Sequence, residues 1–296
     1  VSRPDLTVVL TTKDRPGRLR QAITSVLEVT LGQADVALEL LVVDDGSSMR
    51  PDVPDDLRVH LLVHPTSRGA NAARNTGLAA ASGRWVLFLD DDDELIADGV
   101  HALLTTLQAA NREDLAAIGV VVAVDEPTGT ATWQVPRSLP RGTDWLAAPQ
   151  MAAGRHAHNA LIAPAAVLRR IGGFDEAIQA WTHDELFLRL LLEVDLVAVN
   201  VPTYRMYEDP RRPTLRRQHT ARAAGIRRTL EQHDALHPPS RRATADLRSA
   251  IAQHLALAGD AGGAQREFAQ ALRAMPARRL TWVRIVRSLT GRHRPS

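Results

Sequence analysis

Four aspartates and a glutamate, Asp90, Asp91, Asp92, Asp93 and Glu94, follow directly on an apolar run at residues 85–89. An extended backbone puts residues i and i+2 on one side, so Asp90 and Asp92 can point together while Asp91 points elsewhere. Two hard oxygen ligands at a strand end suit Mg2+ or Mn2+, which keep positions open for phosphate oxygens and water. The plainer reading is a solvated turn in which Asp93 caps a helix starting near Glu94. Capping leaves the other acids unexplained, and adjacent carboxylates repel unless a cation joins them. A second acidic pair, Asp44-Asp45-Gly46-Ser47, also ends an apolar run. A carboxylate there can accept from a base N–H such as uracil N3, or from a ribose hydroxyl; the same residues make a good turn or helix cap. The third stretch, residues 69–77, is rich in small residues that let a helix lie close to a sheet. In it Arg74 could reach a base or phosphate and Asn75 could bond nearby backbone. It lacks the spacing of a dinucleotide or Gly-Lys-Ser/Thr phosphate loop.

The elements that must position these groups alternate. Apolar runs at residues 6–10, 38–43, 59–63 and 85–89 read as strands buried on both faces, with helical spacing at 19–29 and 69–81 between them. Such alternation implies βαβ units, and ligands at the carboxyl ends of the strands. Further strands are expected at 116–124, 131–135, 159–162 and 196–201, with a turn at 125–129. Helices are expected from Pro164 to Arg170 and over 183–193. From about residue 214 the pattern is helical only, at 214–233, 241–258 and 261–274, then an apolar stripe of Trp282, Ile285, Val286 and Leu289. Residues 255–276 resemble half of a tetratricopeptide-type helix pair, too little for a repeat array.

Composition sets limits on the chemistry. The 296 residues are 45% hydrophobic and 24% charged, which is globular composition. The absence of cysteine excludes disulfides, zinc-thiolate sites and a cysteine nucleophile. No apolar run reaches about 18 residues and no signal-like N-terminus is present, so a cytoplasmic protein is expected. The net charge of +2 conceals 19 basic and 7 acidic residues after position 204, against 17 and 27 before it. A basic helical tail can meet polyanions or anionic lipid, although solvated arginine-rich helices are commoner.

Taken in order, Thr11-Thr12-Lys13-Asp14-Arg15-Pro16, Val43-Asp44-Asp45-Gly46-Ser47, residues 69–78 and Phe88-Leu89-Asp90-Asp91-Asp92-Asp93 resemble the signature series of family 2 glycosyltransferases with the GT-A fold. The resemblance resumes at Gly172-Gly173-Phe174-Asp175-Glu176 and His183-Asp184-Glu185-Leu186-Phe187-Leu188-Arg189-Leu190, and spans about residues 6–207. It implies an α/β fold: one GT-A-type domain with a mostly parallel central sheet, followed by an all-helical extension. Its nucleotide-sugar half would be residues 1–95, its acceptor half 96–209, and the basic helical extension 210–296. Thr11, Asp14, Arg15, Asn71, Arg74, Asp90 and Asp91 would line the nucleotide sugar, Asp45 would hold the base, and Asp92, with Asp90, would ligate Mn2+ or Mg2+. Asp184 would be the catalytic base, although His183-Asp184 stands where the family usually has Glu-Asp. Tyr207 stands about where a histidine often joins the metal site, which leaves a third protein ligand open.

By the same resemblance, a metal neutralises charge developing on the leaving diphosphate while a carboxylate deprotonates the attacking hydroxyl. One base opposite the leaving group gives inversion. The donor is expected to be a UDP-sugar, and the acceptor a glycan, a lipid-linked sugar or a small molecule, with no nucleic acid. Trp181 could stack on an acceptor sugar or be core; His156, His158 and Asn159 could line the acceptor cleft or form a polar turn. The Trp282 stripe could dock on the inner membrane face or pack on preceding helices. A sugar-nucleotide pyrophosphorylase is the nearest enzymatic alternative, but residues 11–17 lack its glycine-rich loop with arginine and lysine. A polyanion- or lipid-binding module using the basic tail is the non-enzymatic one.

Overall fold

A computed structural model describes residues 4–29, 36–143, 157–208, 218–236 and 240–290, with only the backbone of 157, 158, 233–236, 289 and 290. His156 therefore lies outside the described residues, as does the side chain of His158. Strands β1 (Leu6–Thr12), β2 (Leu38–Asp44), β3 (Val59–Val63) and β4 (Trp85–Asp90) alternate with helices α1 (Pro16–Glu28) and α2 (Ala70–Ala80). There follow β5 (Glu94–Leu95), α3 (Ala97–Ala110), β6 (Leu115–Asp125), β7 (Ala131–Gln134), β8 (Leu161–Pro164), α4 (Ala165–Arg170), α5 (Thr182–Leu191) and β9 (Asp195–Glu208). Helices α6 (His219–Leu236), α7 (Arg241–Leu257), α8 (Ala261–Ala274) and α9 (Arg279–Thr290) complete the described chain.

Among the described residues the sheet order is β3-β2-β1-β4-β8-β6-β9-β5, with β7 on β6. The β1–β2, β1–β4, β2–β3 and β6–β9 pairs are parallel. The β4–β8, β6–β8, β6–β7 and β5–β9 pairs are antiparallel. The sheet is thus mixed, and its mostly parallel character holds only for the front part. An apolar run does not report strand direction, so the reversals beyond β4 left no mark in composition, and burial on both faces fails at the edge strand β3, where His60 and Val63 are exposed. The segment read as a strand at 159–162 is a 3-10 turn (Ala157–Ala160) running into β8, and β9 is much longer than the apolar run at 196–201.

Packing explains the small residues of α2. A Cβ on Gly77 would sit 2.2 Å from Val9 Cγ1 and 3.2 Å from Val43 Cγ2, so only glycine lets α2 rest on β1 and β2 at this distance. The chain divides into two compact units. One holds the sheet, within Val1–Thr143, Gln150–Glu176 and Arg189–Arg211; the other holds Ala177–Leu188 and the helices of Arg212–Ser296. Within the second unit Arg227 and Arg248 both bind the buried Glu267, at 2.9 and 3.1 Å, joining α6 and α7 to α8. Asp246 takes Arg278 at 2.7 Å through both oxygens.

Candidate functional site

Strand register assembles the site. Parallel pairing sets Thr11 beside Val43 on one flank and Asp90 on the other, and Thr12 beside Asp44. Three motifs far apart in sequence therefore end on one line at the carboxyl edge of the sheet, where open α/β sheets bind ligands. Thr11 itself is buried there.

Beyond β4 burial alternates: Asp90 and Asp92 are partly exposed, Asp91 and Asp93 buried. Asp91 accepts the Thr12 hydroxyl at 2.7 Å, and Arg15 Nη1 reaches both Asp91 at 3.0 Å and Asp92 at 2.8 Å. Burial pushes the Asp91 carboxyl up to about 6, against the pull of Thr12 and Arg15. Asp90 accepts from Arg74 Nη2 at 2.5 Å. Asp93 does not cap a helix. The chain forms β5 at that point, α3 starts at Ala97, and Asp93 accepts the Tyr204 hydroxyl at 2.8 Å and the Tyr207 amide at 3.1 Å. Burial, reinforced by Asp92 and Asp90, holds Asp93 well above the usual carboxylate range. Tyr207 thus meets Asp93 through its backbone and Glu94 through its side chain, while Arg18 lies over its ring at 5.5 Å.

Asp45 is 5% exposed, and protein donors meet both its oxygens. Oδ1 accepts from His64 Nδ1 at 2.8 Å and the Arg68 amide at 2.8 Å; Oδ2 accepts from Ser67 Oγ at 2.7 Å and the Gly69 amide at 2.9 Å. His64 Nε2 in turn meets Thr76 Oγ1 at 2.9 Å. Asp45 therefore shapes the loop leading into α2. Asp14 also joins loops, accepting from the Ser48 amide at 2.7 Å and hydroxyl at 2.8 Å with its own φ at +54°. The Ser48 amide bond, then its hydroxyl, holds the Asp14 carboxyl below its ordinary value.

Helix α2 joins the acidic turn to the Gly172-Gly173 loop. Arg74 is buried between Asp90, Asn71 Oδ1 at 3.1 Å and the Phe174 ring at 5.2 Å, and its Nε has no hydrogen-bond partner. Asn71 donates to Asp175 O at 2.8 Å. Asn75 bonds both the amide and the carbonyl of Phe174, at 2.8 and 2.9 Å, as expected of a residue placed to hold backbone. Arg189, near the end of α5, donates to the carbonyls of Ile171 at 2.5 Å and Gly173 at 2.7 Å. Asp184 lies partly buried in the first turn of α5, with His183 beside it. Before it, Trp181 holds φ at +82°, a strained conformation for a bulky residue. Arg222 covers the Trp181 ring at 5.2 Å, and the indole N–H is buried without a partner. Asn159 is buried, its amide 3.8 Å from Met206 Sδ.

Sequence reasoning passed over Thr12, His64, Ser67, Arg189 and Tyr204. His64 and Thr12 could have been found from their places at strand ends; Tyr204 and Arg189 act over distances no local pattern carries. The exposed acids suit a divalent cation that draws most of its shell from ligand and water. Among the described residues no three His, Asp or Glu side chains converge as a preformed cage. Asp90 and Asp92 nevertheless offer hard oxygens from side chains 35% and 29% exposed.

A mixed α/β sheet whose front strands end in acidic residues on one edge, followed in sequence by helices, is an architecture with a candidate ligand-binding edge. Residues 7–169 match the Glycosyl transferase family 2 profile, and the chain belongs to that family. It is 30% identical over 196 residues to the pre-mycofactocin glycosyltransferase of Mycobacterium tuberculosis, covering 64% of this chain and 40% of that protein. It is 33% identical over 110 residues to the UDP-Glc:alpha-D-GlcNAc-diphosphoundecaprenol beta-1,3-glucosyltransferase WfgD of Escherichia coli, covering 36% and 42%. The chain thus spans less than half the length of these curated relatives. In fold it is similar to S. aureus TarS, with a TM-score of 0.60 at 14% identity over 97% of this chain and 53% of that one. That likeness establishes the GT-A-type fold.

Proposed function

We propose that the protein transfers a sugar from a nucleoside-diphosphate donor, a UDP-sugar, to an acceptor hydroxyl with inversion at the anomeric carbon. The observation that carries this reading is the strand register that lines Thr11, Thr12, Asp44 and Asp90 along one sheet edge. Family membership supports transfer over the pyrophosphorylase and binding-module alternatives. The name of the E. coli relative supports a UDP-linked donor and a diphosphate-linked lipid acceptor.

Asp92 and Asp90 would hold Mg2+ or Mn2+, which supplies Lewis-acid neutralisation of the leaving diphosphate. Asp45 and its donors keep the loop before α2 in shape, so the edge is organised before donor arrives. Arg74, pinned between Asp90 and Phe174, keeps a permanent positive charge beside the acids. Asp184 would take the proton of the attacking hydroxyl as its oxygen bonds to the sugar. With a single base and no covalent intermediate, one displacement inverts the configuration. The protein would work at the inner face of a membrane, a reading supported by α9, which leaves Trp282 50% and Val286 55% exposed.

The test combines donor binding and transfer. Asp92→Ala should abolish Mn2+-dependent turnover of a UDP-sugar. Asp184→Asn should bind donor as tightly as the parent yet lose transfer by about two to four orders of magnitude, the usual worth of a general base. Undiminished transfer in Asp184→Asn would remove that residue from the base role.

A further inference from the structure

The two arginines at the acidic turn differ in kind. Arg74 is buried and packed on three partners, so it cannot leave. The Arg15 side chain is 51% exposed, and a single nitrogen, Nη1, spans Asp91 Oδ1 at 3.0 Å and Asp92 Oδ2 at 2.8 Å. Its backbone precedes α1, where its side chain makes no capping bond. Asp91 is the fixed member of this trio, held by the Thr12 hydroxyl and 6% exposed, and Asp92 follows it directly in the turn with its side chain 29% exposed. A half-exposed, long side chain is therefore the movable cation on a rigid anionic turn.

We propose that Arg15 is an exchangeable counter-ion: it neutralises Asp91 and Asp92 until a divalent cation arrives with the donor diphosphate, then passes to the phosphates. This rests on the donor-binding reading above. The guanidinium and a dication compete for the same Asp92 carboxylate, so metal alone binds poorly. The diphosphate removes the competition by offering the guanidinium another dianionic partner, and a fork-shaped donor suits phosphate oxygens. Metal and nucleotide affinities are thereby coupled, each raising the other by the same factor. The chain would resist loading a bare metal and would assemble its site only around donor.

The measurement is Mn2+ binding to the full chain, by loss of the free-ion EPR signal, with and without uridine, guanosine or thymidine diphosphate. Arg15→Ala and the hydrogen-bonding variant Arg15→Gln should bind Mn2+ alone about three- to tenfold more tightly than the parent, the range expected on losing two partly exposed ion pairs. The enhancement of Mn2+ binding by nucleotide should shrink in both variants and persist in Arg15→Lys. Thermal melting verifies that each variant is folded. If both variants bind Mn2+ no more tightly than the parent, while nucleotide still enhances Mn2+ binding to the parent, the counter-ion role is overturned. If none of the diphosphates binds the parent with Mn2+, the donor-site reading itself has failed.

Discussion

Asp45→Asn separates a loop-shaping carboxylate from one that only meets a base. Two backbone amides, Arg68 and Gly69, donate to different oxygens of Asp45, at 2.8 and 2.9 Å. An asparagine presents one oxygen, so its NH2 must face one of those amides whichever way it turns. The side-chain partners can adapt, because Ser67 can rotate its hydroxyl and His64 can exchange tautomers between Asp45 and Thr76; a backbone N–H cannot. The variant loses one charge-assisted bond and leaves one part-buried backbone N–H facing an NH2, a cost of about 2 to 3 kcal/mol. At roughly 2 to 4 °C per kcal/mol, Tm without ligand should fall by about 4 to 12 °C. Burial alone would raise the Asp45 carboxyl, yet its donors, led by the Arg68 amide, hold it below its ordinary value. A depressed carboxylate contributes fully above the unfolded value of about 3.9 and loses that contribution as pH falls through the folded one. The gap in Tm between parent and variant should therefore be widest near neutrality and narrow below about pH 4. A Tm within about 1 °C of the parent at pH 7, with only nucleotide affinity lost, would refute the loop-shaping role.

Two further outcomes follow from packing and surface. Gly77→Ala should cost about 1 to 2 kcal/mol: overpacking against Val9 outweighs the helix-propensity gain of about 1 kcal/mol. Gly17→Ala, where a Cβ meets open space, should be neutral or slightly stabilising; equal melting points for the two variants would contradict the close approach of α2. On α9 the polar side faces inward, with Thr281 buried and Arg284 bonding Asp246 O and Ser249 Oγ at 2.6 Å, while Trp282, Val286, Arg279 and Arg287 are exposed. Cosedimentation with phosphatidylglycerol vesicles should fall roughly tenfold in Trp282→Ala, as loss of about half a buried tryptophan implies. Unchanged sedimentation would end the membrane-contact proposal.

How much of this was readable beforehand depends on the range over which each feature is determined. The front strands were legible because both faces of β1 are buried, leaving an unbroken apolar run that ends where the chemistry begins. The sorting of the acids followed from period-2 geometry, and burial does alternate from Asp90 to Asp93. Asn75 does bond backbone near the site, through the Phe174 amide and carbonyl, and it reaches the Glu176 carboxylate at 3.0 Å as well. What escaped was set by partners brought in from afar. Asp93 looked like a cap since caps are local, but Tyr204 and Tyr207, more than 100 positions away, claim it once β9 pairs with β5 and β6. Asp45 looked ready for a base because its donors lie about 20 positions on, in a loop without a pattern. The repulsion expected among the acids is partly relieved by Arg15 and Arg74, which approach from α1's entrance and from α2. A cation requirement inferred from a run of carboxylates thus carries a hidden term, the protein's own guanidinium groups. Here that term is divided between one arginine that cannot move and one that can. The balance between bare-metal and donor-assisted loading is accordingly a property of Arg15 as much as of the aspartates.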